Sequence, residues 1–246
     1  MSYELKILFA KEWKQAVRNR GALLTATLLP LFLLLIVPVA QAILATQGLG
    51  TTGMNTGPLP PGLTDASPEA VFVQVTFPLF VVLGGLIVPS LAASHTVVSE
   101  REKRTVDLLM ALPVSLGQIV AGKVAAVVAL ALAITLPLVL IDFVLLSLLG
   151  LADLSLILFY ALELLASLTF SVSSTVAIAL LARDYRSANN LSGAFMGPMI
   201  LLTMAFNLLL PWGLYRLALH AGLMLLVGFV TIWVTLKVVS LERYAL

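Results

Sequence analysis

The chain has 246 residues, of which 61% are hydrophobic and only 11% charged, and its mean hydropathy is +1.09. Soluble domains carry about 25% charged residues, so this composition excludes a soluble globular protein and defines an integral membrane protein. A formal charge of +2 is ordinary for such a chain and no sign of nucleic-acid binding, and the lack of cysteine excludes a disulfide framework and thiolate metal sites.

Residues 3 to 20 are amphipathic at helical spacing. Leu5, Leu8, Phe9, Trp13, Ala16 and Val17 share one face, while Lys11, Lys14, Gln15 and Arg18 hold the other. The pattern predicts an interfacial helix over residues 1–21 that lies on the membrane surface, with Trp13 at headgroup depth and Lys11, Lys14, Arg18 and Arg20 toward anionic lipid. The alternative is a solvated helix packed on the rest of its own chain.

Crossing a bilayer takes about 20 apolar residues, and six stretches meet that length: 22–44, 70–94, 122–148, 156–182, 190–210 and 217–239. The expected architecture is therefore all-α, a single transmembrane domain over 1–246 with six transmembrane helices, an N-terminal interfacial helix and a cytoplasmic coupling helix between the second and third spans. Thirteen basic residues fall on one side of these spans and only Arg216 on the other, so the positive-inside rule places both termini in the cytoplasm. Ser67-Pro68-Glu69 predicts a helix start, with Ser as the N-cap, Pro in the first helical position and an acid in the first turn. The loop near residues 150–153 is predicted to be tight, and Pro211 to Arg216 forms a third loop with aromatics suited to the membrane edge.

Between the second and third spans, residues 99–123 hold 7 of the chain's 26 Asp, Glu, Lys and Arg residues. Glu100 with Arg104, and Lys103 with Asp107, stand four apart with the acid or base on one helical face. Leu108, Leu109 and Leu112 add an apolar edge; Pro113 then ends that helix, and Ser115 with Gln118 forms a capping box that starts another. The whole coupling region, 95–121, is thus predicted as helix, corner, helix.

Inside the spans, Asp142 and Glu163 stand out because ionisable groups there are costly. Counted from the turn near residue 152, they lie at similar depth on two antiparallel helices. Ser167, Ser171 and Ser174 continue from Glu163 as one polar stripe down a helix. Two readings stay open: a candidate translocation path through Asp142, Glu163, Ser167, Ser171 and Ser174, or hydroxyls that let helices pack closely and bond across their contact. Gly193-Ala-Phe-Met-Gly197 is a G-x-x-x-G suited to close helix contact within the chain or between two copies, and Gly84-Gly85, Pro89, Pro137 and Pro198 mark kinks or close approaches.

No phosphate-binding loop, zinc-protease motif or nucleophile elbow occurs, and no catalytic residue, bound cofactor or metal is predicted. His95 and His220 have no carboxylate at ligand spacing along the sequence. An ion-coupled secondary transporter would show paired repeats with broken helices, which are not apparent here.

The basic N-terminal helix, Arg18-Asn-Arg20 before a first span that contains Pro30, and Ser99-Glu-Arg-Glu-Lys-Arg-Thr-Val-Asp-Leu-Leu-Met-Ala-Leu-Pro-Val-Ser115 followed by Gly122-Lys123 together resemble the ABC-2 type transporter permeases. Asp107 stands where that family commonly has Glu, and Arg104 where Gly is frequent. The resemblance implies a type V exporter-like fold and a permease subunit, itself not an enzyme, paired with a second permease copy or homologue. It also implies two ABC ATPase subunits that carry ATP and magnesium and supply the missing phosphate loop. Efflux of an ion, lipid, drug or other small amphipathic molecule across the plasma (inner) membrane would follow. Glu100, Arg101, Glu102, Arg104, Leu108, Leu109 and Pro113 are the implied ATPase-coupling residues. The alternatives are a non-transporting scaffold that recruits an ATPase, and the secondary transporter.

Overall fold

The structure is a computed structural model that describes residues 3–18, 20–48, 66–102, 116–181, 185–211 and 213–238. Helix α1 (Tyr3–Arg18) leads to the first span, built from α2 (Arg20–Leu31), a π-helical turn (Phe32–Ile36) and α3 (Val37–Thr46). The second span is α4 (Pro68–Val71), a second π-helical turn (Phe72–Thr76) and α5 (Phe77–Glu102). Four long helices complete the bundle: α6 (Leu116–Leu148), α7 (Leu154–Leu181), α8 (Tyr185–Leu209) and α9 (Leu214–Val238). Six of the spans so formed are long and apolar enough to cross a membrane, and no strand occurs among the described residues.

The local signals act where the sequence puts them. Ser67 accepts a hydrogen bond from the Ala70 N–H at 3.3 Å, with Pro68 as the first helical residue. At the turn between α6 and α7, Gly150 adopts φ +68°, and the Leu151 N–H reaches Leu146 O at 2.9 Å while the Gly150 N–H reaches Ser147 O at 3.1 Å. That pair of bonds is a Schellman end, which needs a left-handed residue after the helix. Asp153 then starts α7: its carboxylate accepts from the Leu156 N–H and the Ser155 hydroxyl, both at 2.9 Å. Those bonds, the Leu156 one first, hold the Asp153 carboxyl below the usual carboxylate range. The cap is therefore in place at neutral pH and is lost only as pH falls through that lowered value.

Helix α5 stays helical to Glu102, well past the end of the apolar span at Ser90, so the second span continues as one helix into the first part of the predicted coupling region. Helical propensity in Ser-Glu-Arg-Glu extends a helix past the apolar stretch. The predicted corner at Leu112-Pro113 and the residues Lys103, Arg104, Asp107, Leu108, Leu109 and Ser115 lie outside the described residues. Helix α6 resumes at Leu116.

Each π-helical turn sits just ahead of a proline, Pro38 in the first span and Pro78 in the second. A proline has no N–H to give to the carbonyls four and five residues back, and a π turn is a common way to accommodate such a break. In the second span the affected carbonyls belong to Gln74 and Val73, and both find donors elsewhere, as described below.

Helix α7 is the central element, packed along α5 on one side and α9 on the other. Glycines set both approaches. A β-carbon on Gly85 would overlap the Ser167 side chain and stand 3.3 Å from Leu164 O; one on Gly228 would stand 3.1 Å from the Phe170 backbone. By contrast Gly193 and Gly197 have nothing within 4 Å, so the G-x-x-x-G motif makes no close contact among the described residues of this chain. We expect Gly85→Ala to lower stability by about 1–3 kcal/mol through overpacking. Gly193→Ala is expected to raise it by about 0.5–1 kcal/mol through helix propensity. Thermal unfolding in detergent separates the two, and equal shifts would contradict the packing.

Candidate functional site

Two polar constellations interrupt an otherwise apolar bundle. The first joins the N-terminal helix to the start of the third span. Lys123 Nζ on α6 lies 3.1 Å from Glu12 Oε1 on α1, and both side chains are almost fully buried. One residue earlier, Gly122 lets α1 come close: a β-carbon there would stand 2.9 Å from Leu8 Cβ. Leu8 packs with Ile119, and Trp13 packs against Val127 and Leu130 with Phe9 stacked on its ring. The apolar face of α1 therefore rests largely on α6, with Lys11, Lys14 and Arg18 exposed along the other side. Arg20 is the first residue of α2. Lys14 and Arg18 are exposed on the outer side of α1, Lys11 reaches back to Glu12 Oε1 at 3.4 Å, and Trp13 is a packing residue of the α1–α6 contact.

Glu12 lies four residues from both Leu8 and Ala16 and so falls on the apolar face of α1, a placement that marks it for burial without naming its partner. Gly122-Lys123 at the head of the third span was the available signal. Glycine followed by lysine is what a close approach plus a buried counter-charge requires. Glu100, Arg101 and Glu102 fall in the last turn of α5, so both arms leaving the undescribed coupling segment are helical.

The second constellation lies toward the end of the bundle that carries the turns at residues 150 and 211. His220 Nδ1 on α9 is 2.9 and 3.1 Å from the two carboxylate oxygens of Glu163 on α7. Its other ring nitrogen is 3.2 Å from Thr203 Oγ1 on α8, and Thr203 also bonds Met199 O at 2.8 Å. Asn207 donates to Thr203 O at 3.0 Å. Arg216, in the first turn of α9, donates to Asn207 O at 3.0 Å and to Gln74 O. Tyr160, one turn before Glu163, donates to Val73 O at 2.5 Å. The two carbonyls left open by Pro78 and by the register change at the π-helical turn ahead of it are thus served by Arg216 and Tyr160, and Asn207 O is one of the last-turn carbonyls that a helix leaves open.

These contacts correct two expectations. His220 does have a carboxylate partner, brought from 57 residues away by helix packing rather than by sequence spacing. Arg216 is not a loop residue: α9 begins at Leu214, and the residue is 1% exposed. Its side chain is drawn inward because the end of α8 and the π-helical turn of the second span each offer it a carbonyl, Asn207 O and Gln74 O.

The predicted polar stripe is buried. Ser171 donates to Leu86 O on α5 at 2.5 Å, Ser167 donates to Leu164 O at 2.9 Å, and Ser174 Oγ is buried with no hydrogen-bond partner. Within this chain, Ser167 and Ser171 serve the α5–α7 contact. Asp142 is also buried, with Oδ1 unpartnered, and it is not paired with Glu163, whose partners come from α9.

Above the second constellation a cleft of about 470 Å³ opens at the same end of the bundle, lined by Glu69, Val73, Gln74, Gly150, Asp153 and Leu214 among others. Beneath it, a void of about 10 Å³ lies between Glu163, Asn207, Arg216 and His220. No group of three or more metal-ligating side chains occurs among the described residues.

Six helices long and apolar enough to cross a membrane define a multi-pass membrane protein, since a helix satisfies its own backbone where lipid offers no partner. Residues 7–242 match the family described as ABC-2 family transporter protein, and the chain belongs to that family. It is accordingly a membrane transport subunit of a class that associates with an ABC ATPase. No curated protein matches it in sequence.

Proposed function

We propose that the chain is the permease half of an ATP-driven exporter, with the ATP and magnesium held by two copies of a separate ATPase. The observation that carries this reading is the clamp between α1 and α6. Residues 100–115 enter from α5 and leave into α6, and Glu12–Lys123 with Leu8–Gly122 ties α1 to that same exit. A push on the coupling segment then moves the surface helix and the third span together rather than bending a loop. The thirteen-to-one charge bias supports cytoplasmic termini in the plasma membrane, and the exception, Arg216, is spent on buried carbonyls. Pairing with a second permease copy or homologue fits the open face of α8 at Gly193 and Gly197. Asp142 and Ser174, buried with unpartnered oxygens, remain the path candidates that packing does not consume. The cargo is an ion, lipid, drug or other small amphipathic molecule.

The test uses the purified chain with its candidate ATPase. Arg101→Glu is expected to weaken complex formation and abolish stimulation of ATP hydrolysis, because it reverses a charge in the last turn before the coupling segment. Unchanged binding and stimulation would remove the docking assignment, and binding with stimulation but no transport of any cargo would favour the scaffold.

A further inference from the structure

We infer that Glu163 and His220 form a binding site for a single proton. The argument starts at Thr203. Its hydroxyl has one hydrogen, directed to Met199 O at 2.8 Å within its own helix, the back-bonding common for threonine. Toward His220 Nε2, at 3.2 Å, the oxygen therefore acts as acceptor, and Nε2 must carry a hydrogen. That leaves Nδ1 as the atom facing the carboxylate at 2.9 and 3.1 Å. If Nδ1 and the carboxylate both lacked a proton, two acceptors would face each other at hydrogen-bond distance in a site with no bulk water, which costs each its partner. One proton between them resolves this, whether it rests on nitrogen or on oxygen. A second proton would leave a net positive pair beside the Arg216 guanidinium.

The surroundings reinforce a count of one. From α9 the pair faces Arg216, and Tyr160, one turn before Glu163 on α7, has its hydroxyl spent on Val73 O. Helix α8 presents Thr203, Asn207 and Phe206, and α5 presents Pro78 and Val82, none of which titrates. The adjoining void of about 10 Å³ has room for about one water and polar walls to hold it. A proton leaving the pair passes to that water. Arg216, bonded both to Asn207 O and to Gln74 O, stands between this void and the cleft that Gln74 lines.

The chain has two histidines, so His95→Gln leaves His220 as the sole reporter. The full chain carrying His95→Gln, labelled with ¹⁵N-histidine in lipid vesicles, is examined by solid-state NMR, which distinguishes a ring nitrogen that carries a hydrogen from one that does not. Nε2 is expected to carry a hydrogen, with one proton shared between Nδ1 and the Glu163 carboxylate. Glu163→Gln, in the same background, replaces the shared proton with a permanent amide N–H. It is expected to keep the fold and convert Nδ1 to a plain acceptor. A ring protonated on Nδ1 and not on Nε2, or a cationic ring that persists in Glu163→Gln, would each overturn the assignment.

Discussion

Arg216→Met is expected to destabilise the bundle by about 2–6 kcal/mol. The guanidinium serves Asn207 O and Gln74 O together, and each buried carbonyl left without a donor costs about 1–3 kcal/mol. Arg216→Lys keeps the charge but lacks the planar fork that reaches two acceptors in different directions, so about half of that loss should remain. A second change separates this account from a general packing defect. Gln74 O lacks a helical donor because position 78 is proline, so Pro78→Ala returns an N–H to the helix. In the Arg216→Met background it should recover part of the lost stability, although Pro78→Ala alone need not stabilise the protein. Thermal unfolding of the four variants in one detergent measures this, and strict additivity of the two changes would show that the carbonyl account is wrong.

Lys123→Met should release α1 from α6. Removing one partner of a buried ion pair costs about 3–5 kcal/mol, most of it from the charge left behind. The lower end of that range applies, because Lys11 remains 3.4 Å from Glu12 Oε1 with its own side chain 40% exposed. The double change Glu12→Gln with Lys123→Met removes both charges and should restore most of the docking. Protease cleavage within residues 3–20 reports release of the helix, and ATPase stimulation in the complex reports its consequence for coupling. Cleavage in the single variant no faster than in the parent would show that the pair does not hold α1. Release of α1 with full stimulation retained would instead dissociate the clamp from the coupling role proposed for it.

These two expectations rest on residues that the sequence displays without explaining. Arg216 was visible as the one basic residue on its side of the charge distribution, and Gly122-Lys123 as part of a family-like motif. The partners were not visible: Glu12 lies 111 positions from Lys123 and Gln74 lies 142 from Arg216. Pro78 held a further signal. A proline inside an apolar span implies carbonyls in need of a donor, and a search for buried donors at the same depth would have singled out Tyr160 and Arg216. The serine stripe on α7 was legible as a stripe, while its use depended on which neighbour faced it. Gly85 and Leu86 on α5 take up Ser167 and Ser171, which a single helix's periodicity does not specify.

What the sequence by itself determined is what short-range physics controls. Apolar runs of sufficient length produce the six spans, Ser67-Pro68 starts the second, Gly150 closes the α6 end, and the basic residues bias orientation. Each depends on residues within a few turns of one another and on the surrounding solvent. Only the tertiary structure decided that His220 meets Glu163, that Arg216 turns inward, and that Glu12 of α1 is buried against Lys123. In a bundle of similar apolar helices, spacing along one helix says which residues share a face but not which helix will cover it. The pairings follow from where glycines permit close approach and where prolines and helix ends leave carbonyls to be satisfied, conditions that come together only after the helices have packed.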